Sequence, residues 1–420
     1  MTMKINRHSF TGILCSIFLL SALTATFSGC SARDKEKQDK AKYIFLFIGD
    51  GMGASHVAAA ESYLSYKAGK IGGEQLTFTG FPVLGTATTY SANRHITCSS
   101  AAGTAISCGE KTKNGYLCVD PEGNRLESIT YKLKREGYKI GIMSTVPVNH
   151  ATPAAFYGHN KSRYAFYEIA QEIPQSGFEF FAGDGFLDYY GHDGKNEPIT
   201  GYLEENGVDV CFSKAQYEED RDSAKQLVLC QPGSEDSDAE DYEVEDEAAE
   251  DFSLGEMLST CLDFLGDSDP FFIMCEGGEI DWDAHDNMTM TMIDDIIELN
   301  DAVDVAYRFY QEHPDETLII VTADHETGGI ALGGPGGTSK KGNMIYWDVY
   351  EKYADEAKEG FDKDLNRKIN TEANIGWTTT GHSGGPVPVY AIGKGSGRFS
   401  GRMDNTDISR RIMNVQETAK

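Results

Sequence analysis

Positive charge is scarce in this 420-residue chain. Thirty-seven lysines and arginines face 66 aspartates and glutamates, giving a formal net charge of −29. That balance argues against a nucleic-acid-binding surface or an anionic-lipid surface as partner. A phosphate-handling site here would have to neutralise its ligand locally, with metal ions or a buried arginine. None of the nine cysteines forms a Cys-x-x-Cys pair, which speaks against a thiolate zinc site. No Gly-Lys-Ser or Gly-Lys-Thr follows a glycine-rich stretch, including the loop expected over 329–342, so there is no nucleotide P-loop. No internal repeat is visible. The apolar run Gly12–Thr26 is too short to read as a membrane span.

What the N-terminus does contain is a processing signal. Lys4 and Arg7 precede that apolar run, and Phe27-Ser28-Gly29-Cys30 follows it. Small residues before a cysteine point to a bacterial lipoprotein signal over 1–29, cleaved before a lipidated Cys30. Phe27 stands where an aliphatic residue is usual, and a plain secretory signal is the alternative. Either reading predicts export to the periplasm or cell surface, with membrane attachment only through the anchor. Residues 30–40 form a charged tether, and 41–420 remain for one large domain. Seven cysteines follow Cys30, so at least one stays unpaired. Cys98 and Cys108 cannot bridge along one helix, whose rise separates them by about 15 Å. Cys211 and Cys230 are the one pair considered.

Continuous apolar runs at Tyr43–Ile48, Tyr138–Met143, Phe271–Cys275, Thr317–Val321 and Val387–Ile392 fit strands buried on both faces. Helical patterns lie between them, among them Leu126–Glu136 and Met290–Glu312. This alternation predicts an α/β fold, a three-layer α/β/α sandwich around a mostly parallel sheet with surface insertions. The stretch Asp188–Asp251 breaks the rhythm. It ends in Ser234–Asp251, where eleven of eighteen residues are acidic, and reads as a solvated surface insertion. That segment lacks the glycine and ligand spacing of an EF-hand calcium loop.

In parallel sheets, ligands bind beyond the carboxyl ends of the strands. Four strands here end in Asp50, in Thr152 after a longer loop, in Glu276 with Asp281, and in Asp324 with His325. One acidic turn is usually only a turn. Four at one edge would repel one another unless a cation sat among them, so the pattern favours a metal site. Asp281 and His285 are four apart, on one face of a helix, and His382 lies in a glycine-flanked turn. His8, His56, His159, His192 and His313 carry no such context. The run His95–Gly109 holds small residues and no charge after His95. From Ser99 it reads as a helix, with Ser99 or Ser100 as N-cap and Gly109 as its stop. A hydroxyl there sits in a field that suits an anionic group.

Six stretches together resemble the alkaline phosphatase family: FIGDGMG (47–53), SSAAGTAISCGEKTKNG (99–115), HATPAAFYGHNKSR (150–163), EGGEIDWDAH (276–285), TADHETGG (322–329) and TGHSGGPVPVYAIG (380–393). The resemblance implies a phosphomonoesterase working through a phosphoserine with two zinc ions and one magnesium ion. Asp281, His285 and His382 would hold the first zinc. Asp50, Asp324 and His325 would hold the second, and Asp50, Thr152 and Glu276 the magnesium. Ser99 falls at the nucleophile position and Arg163 at the phosphate-clamping arginine. His150 and Trp282 would flank the third metal and the substrate. The implied partners are small-molecule phosphate monoesters, with a homodimer as a candidate assembly. The family usually has an aspartate where this chain has Cys98, which puts the orientation of Arg163 in doubt. The rivals are a phosphodiesterase or sulfatase of the same superfamily, and a lipoprotein that binds phosphate or metal without turnover.

Overall fold

A computed structural model describes residues 40–231, 252–334, 343–354 and 362–413. The signal segment and the acidic run Ser234–Asp251 lie outside them. Ten strands form one sheet: β1 (Tyr43–Gly49), β2 (Val83–Thr88), β3 (Lys139–Ser144), β4 (Phe180–Gly183), β5 (Asp209–Cys211), β6 (Leu227–Cys230), β7 (Phe271–Gly277), β8 (Thr317–Thr322), β9 (Val387–Gly393) and β10 (Gly401–Asp404). Their order is β10-β2-β9-β8-β1-β7-β3-β4-β6-β5. The strand β1 lies between β7 and β8, and every one of its residues is buried. That central place explains an apolar run with no alternation, since neither face meets water. The α/β class and the mostly parallel sheet are as the strand–helix alternation predicts.

Helices pack around this sheet. They include α1 (Ala54–Lys67), α2 (Ser99–Cys108), α3 (Ala151–Ala154), α4 (Leu254–Leu265), α5 (Glu279–His285) and α6 (Thr289–Glu312). The long α6 rests on β1, β7 and β8 and also meets α1, α4 and α5. The entry to α4 is fixed by a capping box between Ser253 and Glu256.

One strand runs opposite to its neighbours. β9 is antiparallel to both β8 and β2. Its beginning therefore lies at the edge where the parallel strands end, and this reversal brings His382 beside residues that follow β1, β7 and β8.

Three expectations change. The stretch after Asp188 continues the strand–helix rhythm through helices at Ile199–Glu205 and Lys214–Asp220, and its strands β5 and β6 extend the sheet edge. These strands are only three and four residues long, too short to stand out in a polar stretch. The N-cap of α2 is Cys98 rather than Ser99 or Ser100, so Ser99 is already the first helical residue. Gly109 does end that helix, in the left-handed conformation with φ 73°. Cys211 and Cys230 are both free thiols. Cys211 stands opposite Leu229 across the parallel pair, so Cys230 projects to the other face of the sheet.

All ten residues of α2 are buried, which their small size permits. A β-carbon on Gly103 would lie 2.9 Å from Ala155 Cβ and 3.6 Å from Thr152 Cα. That glycine lets α2 and α3 approach closely enough to share one site.

Candidate active site

The carboxyl edge of the sheet gathers the expected residues from far apart in the chain. Asp50 follows β1, Glu276 lies on β7, Asp281 and His285 on α5, and Asp324 and His325 follow β8. Asp50, Glu276, Asp281, Asp324 and His325 are all buried. Among the described residues, two groups offer ligand atoms within 4.8 Å of one another: Asp281 with His325 and His382, and Asp50 with Asp324 and His325. His325 belongs to both.

The hydrogen bonds decide which ring nitrogens face the site. His285 Nδ1 lies 2.7 Å from the carbonyl of Thr380, and His382 Nδ1 lies 2.9 Å from the carbonyl of Thr97. A carbonyl only accepts, so each Nδ1 carries a proton and Nε2 is the nitrogen each ring can offer a metal when neutral. With no metal bound, the hydrogen bond to Asp281 raises His285 to about 9. Those two Nε2 atoms face each other at 3.1 Å, with Asp281 carboxylate oxygens 3.4 and 3.7 Å away. Imidazole nitrogens and carboxylates converging in this way fit a cation. The same logic holds at His325. The Thr327 hydroxyl donates to Asp281 Oδ1 and accepts from His325 Nδ1 at 3.3 Å. His325 Nε2 then points bare at Asp50 Oδ1 (3.4 Å) and Asp324 Oδ2 (3.2 Å).

The third set is all oxygen. Thr152 Oγ1 donates to Asp50 Oδ2 at 3.2 Å, and Ser144 Oγ donates to Glu276 Oε2 at 2.5 Å. Asp50 Oδ1, Glu276 Oε1 and Asp324 Oδ2 are buried without a hydrogen-bond donor. Orphaned buried carboxylate oxygens are costly unless a cation takes them. Burial, then repulsion from Asp324, raises the Asp50 carboxyl well above its ordinary range. Burial pushes Glu276 up to about 8. Burial also opposes ionisation of Asp281, but the hydrogen bond to His285 and the neighbouring imidazoles outweigh it and hold that carboxyl low.

Ser99 sits where these groups meet the substrate side. Its Oγ is 3.3 Å from His325 Nε2 and 3.5 Å from Arg163 Nη1. Arg163 Nη2 donates to His150 Nε2 at 2.9 Å, and the His150 ring packs edge-on against Trp282 at 5.6 Å. Burial and the guanidinium lower His150 to about 3, so it stays a neutral acceptor. Cys98 Sγ takes the N–H of Gly115 at 3.1 Å and touches Ser100 Oγ at 3.3 Å. Among the described residues no carboxylate ion-pairs with Arg163, and its buried Nε has no partner.

Ser144, Thr327 and the carbonyls of Thr97 and Thr380 escaped the sequence reading. Only their positions at strand ends or beside a ligand could have signalled them. Of the histidines set aside, His159 pairs with Glu172 at 3.0 Å, His192 is exposed and the His313 ring packs at a tilt against Phe309. His56 is buried with no hydrogen bond to either ring nitrogen, its Nδ1 lying 3.9 Å from Glu326 Oε1.

With this geometry in hand, likeness to known proteins is decisive. The alkaline phosphatase family model matches residues 41–187 and 233–418. The chain belongs to the alkaline phosphatase family. Alkaline phosphatase 4 of Bacillus subtilis (strain 168) is 29% identical over 465 residues, covering 97% of each chain. Alkaline phosphatase 3 of the same organism is 29% identical, covering 95% of each. The solved alkaline phosphatase of the Antarctic bacterium TAB5 is 28% identical with a TM-score of 0.70, covering 91% of this chain and 99% of its own. A mutant of that enzyme has been solved with Mg bound in the M3 site. The family is one of metal-binding hydrolases, and the chain is a phosphatase of that kind.

Stability should report the cation directly. With no metal bound, a Glu276 carboxyl raised to about 8 favours the fold when protonated; that contribution is full below its ordinary value and fades as pH rises through about 8. A bound cation keeps the carboxylate ionised and removes the loss. Between about pH 6 and about pH 9, the melting-temperature gap between metal-loaded and chelator-stripped protein should therefore widen, and Glu276→Gln should flatten the trend. A gap that is equal across the range would contradict this.

Proposed function

We propose that the chain is an exported, lipid-anchored alkaline phosphatase that hydrolyses small phosphate monoesters through a phosphoserine on Ser99. The observation that carries this reading is the position of Ser99 Oγ, at the N-terminus of α2 between His325 and Arg163. Zinc suits the two mixed nitrogen and oxygen sets, Asp281/His285/His382 and Asp50/Asp324/His325, and magnesium suits the all-oxygen set Asp50/Thr152/Glu276. Bound there, these ions would supply the Lewis acidity that a serine hydroxyl lacks at neutral pH.

The chain's own residues supply the rest. Ser99 Oγ attacks phosphorus in line, forming the Oγ–P bond as the bond to the leaving alcohol oxygen breaks. The Arg163 guanidinium grips two non-bridging oxygens of the phosphoryl group, and the first N–H groups of α2 face the same charge. His150 holds the guanidinium at Nη2 while remaining neutral, so it adds no competing charge. Water then attacks the phosphoserine from the side the alcohol left and frees Ser99. Trp282 walls the site behind His150.

Three measurements check this reading. Purified enzyme with zinc and magnesium, offered p-nitrophenyl phosphate, its bis-ester and the sulfate, should turn over the monoester fastest. Ser99→Ala should cut that rate at least about 10³-fold. A faster bis-ester or sulfate would favour the rival hydrolases, and equal rates for wild type and Ser99→Ala would favour a binding protein. Cys98→Asp should match or exceed wild-type kcat/KM, because it restores the aspartate usual in the family beside an arginine whose buried Nε lacks a partner; complete loss of turnover would point instead to a role for the thiol. Cys30→Ser should move the enzyme from the membrane fraction to the soluble one, and unchanged fractionation would argue against the anchor.

A further inference from the structure

Six buried thiols lie off the path of the proposed reaction, and two of them face each other. Cys108 is the last residue of α2, the helix that begins at Ser99. Cys118 lies in the loop that returns beneath it. Their Sγ atoms are 3.5 Å apart with both side chains buried.

The backbone holds Cys118 in this place. Its φ is +42°, a conformation that residues with a β-carbon rarely adopt. Two hydrogen bonds secure it: its N–H donates to Thr104 Oγ1 at 2.9 Å, and its carbonyl accepts from Leu126 N–H at 2.8 Å. Thr104 Oγ1 in turn donates to the Ser100 carbonyl at 2.7 Å, so the loop is already tied to the nucleophile's helix. A disulfide, with sulfurs about 2.05 Å apart, would require the two Sγ atoms to close the rest of that 3.5 Å separation. The Cys118 thiol now donates to the Ala155 carbonyl at 2.9 Å, a weak bond to exchange for a covalent one.

We propose that Cys108 and Cys118 form a disulfide that fastens the end of the nucleophile helix to the segment supporting Arg163. That segment carries Gly115, whose carbonyl accepts the Arg163 N–H at 2.8 Å, and Leu117, which exchanges two backbone hydrogen bonds of 2.9 Å with Asn160. The cross-link therefore braces both ends of the phosphate-gripping pair. Its formation is a thiol–disulfide exchange. Two protein thiols give up two electrons and two protons to a small-molecule or oxidoreductase disulfide, which leaves as two thiols while one S–S bond forms between Sγ atoms. The bond persists in cells only where the compartment is oxidising, so its presence there rests on the proposed export.

Peptide mapping tests the pair without reference to location. The full enzyme is equilibrated in oxidised or reduced glutathione, with low urea to open the buried pair, until the species stop changing. It is then denatured, alkylated and digested with trypsin. The expected product in oxidised buffer is peptide 95–111 joined to 114–125, with fragment ions placing the link on Cys108 and the alkyl group on Cys98. Reductant should lower the melting temperature of wild type by several degrees and leave that of Cys118→Ser unmoved. Full alkylation of both cysteines in oxidised buffer, or a link from either to a different cysteine, overturns the proposal. If the bond forms in glutathione but is missing from enzyme taken from cells, the pairing stands and the reading of export fails.

Discussion

The repulsion among buried carboxylates is the constraint on which the rest of this molecule turns. Asp50, Glu276, Asp281 and Asp324 are all removed from water at one sheet edge. The Nε2 atoms of His285, His325 and His382 point at the same space. Carboxylates gathered without a counter-charge cost several kcal/mol. A cation reverses the sign of that cost. The fold can be understood as the means of holding these groups at one edge despite their repulsion, through a ten-stranded sheet whose central strands are wholly buried.

Much of this was legible in the sequence because burial on two faces leaves an unmistakable mark. Tyr43–Ile48, Phe271–Cys275 and Thr317–Val321 are continuous apolar runs with acidic residues just beyond their ends, and parallel topology places those ends together. What escaped depends on features that leave little local signal. The short strands β5 and β6 lie in a polar stretch of the sequence; β6 gains its pairing from β4, and β5 from β6. The antiparallel course of β9, which delivers His382, is set by long-range packing rather than by local pattern. The Cys108–Cys118 contact needs a loop that folds back on its helix, with Cys118 in a conformation that no propensity scale would assign to cysteine.

Position 98 shows how a site absorbs a change. The thiol takes the Gly115 N–H, no carboxylate among the described residues pairs with Arg163, and His150 accepts from the guanidinium at Nη2. A neutral acceptor orients the arginine without cancelling its charge. The clamp thus keeps its full attraction for a phosphoryl group, at the cost of one unfilled hydrogen bond on Nε. Orientation of the arginine depends instead on the loop through Gly115 and on His150.

The claim at the centre of this account is that the phosphoryl group passes through Ser99. Enzyme mixed with a phosphate monoester, quenched in acid and mapped by mass spectrometry tests it most directly. The account expects a single phosphate on peptide 95–111, with fragment ions assigning it to Ser99. Phosphate on Cys98 or Ser100, or turnover with no trapped phosphopeptide under conditions that preserve phosphoserine, would contradict it.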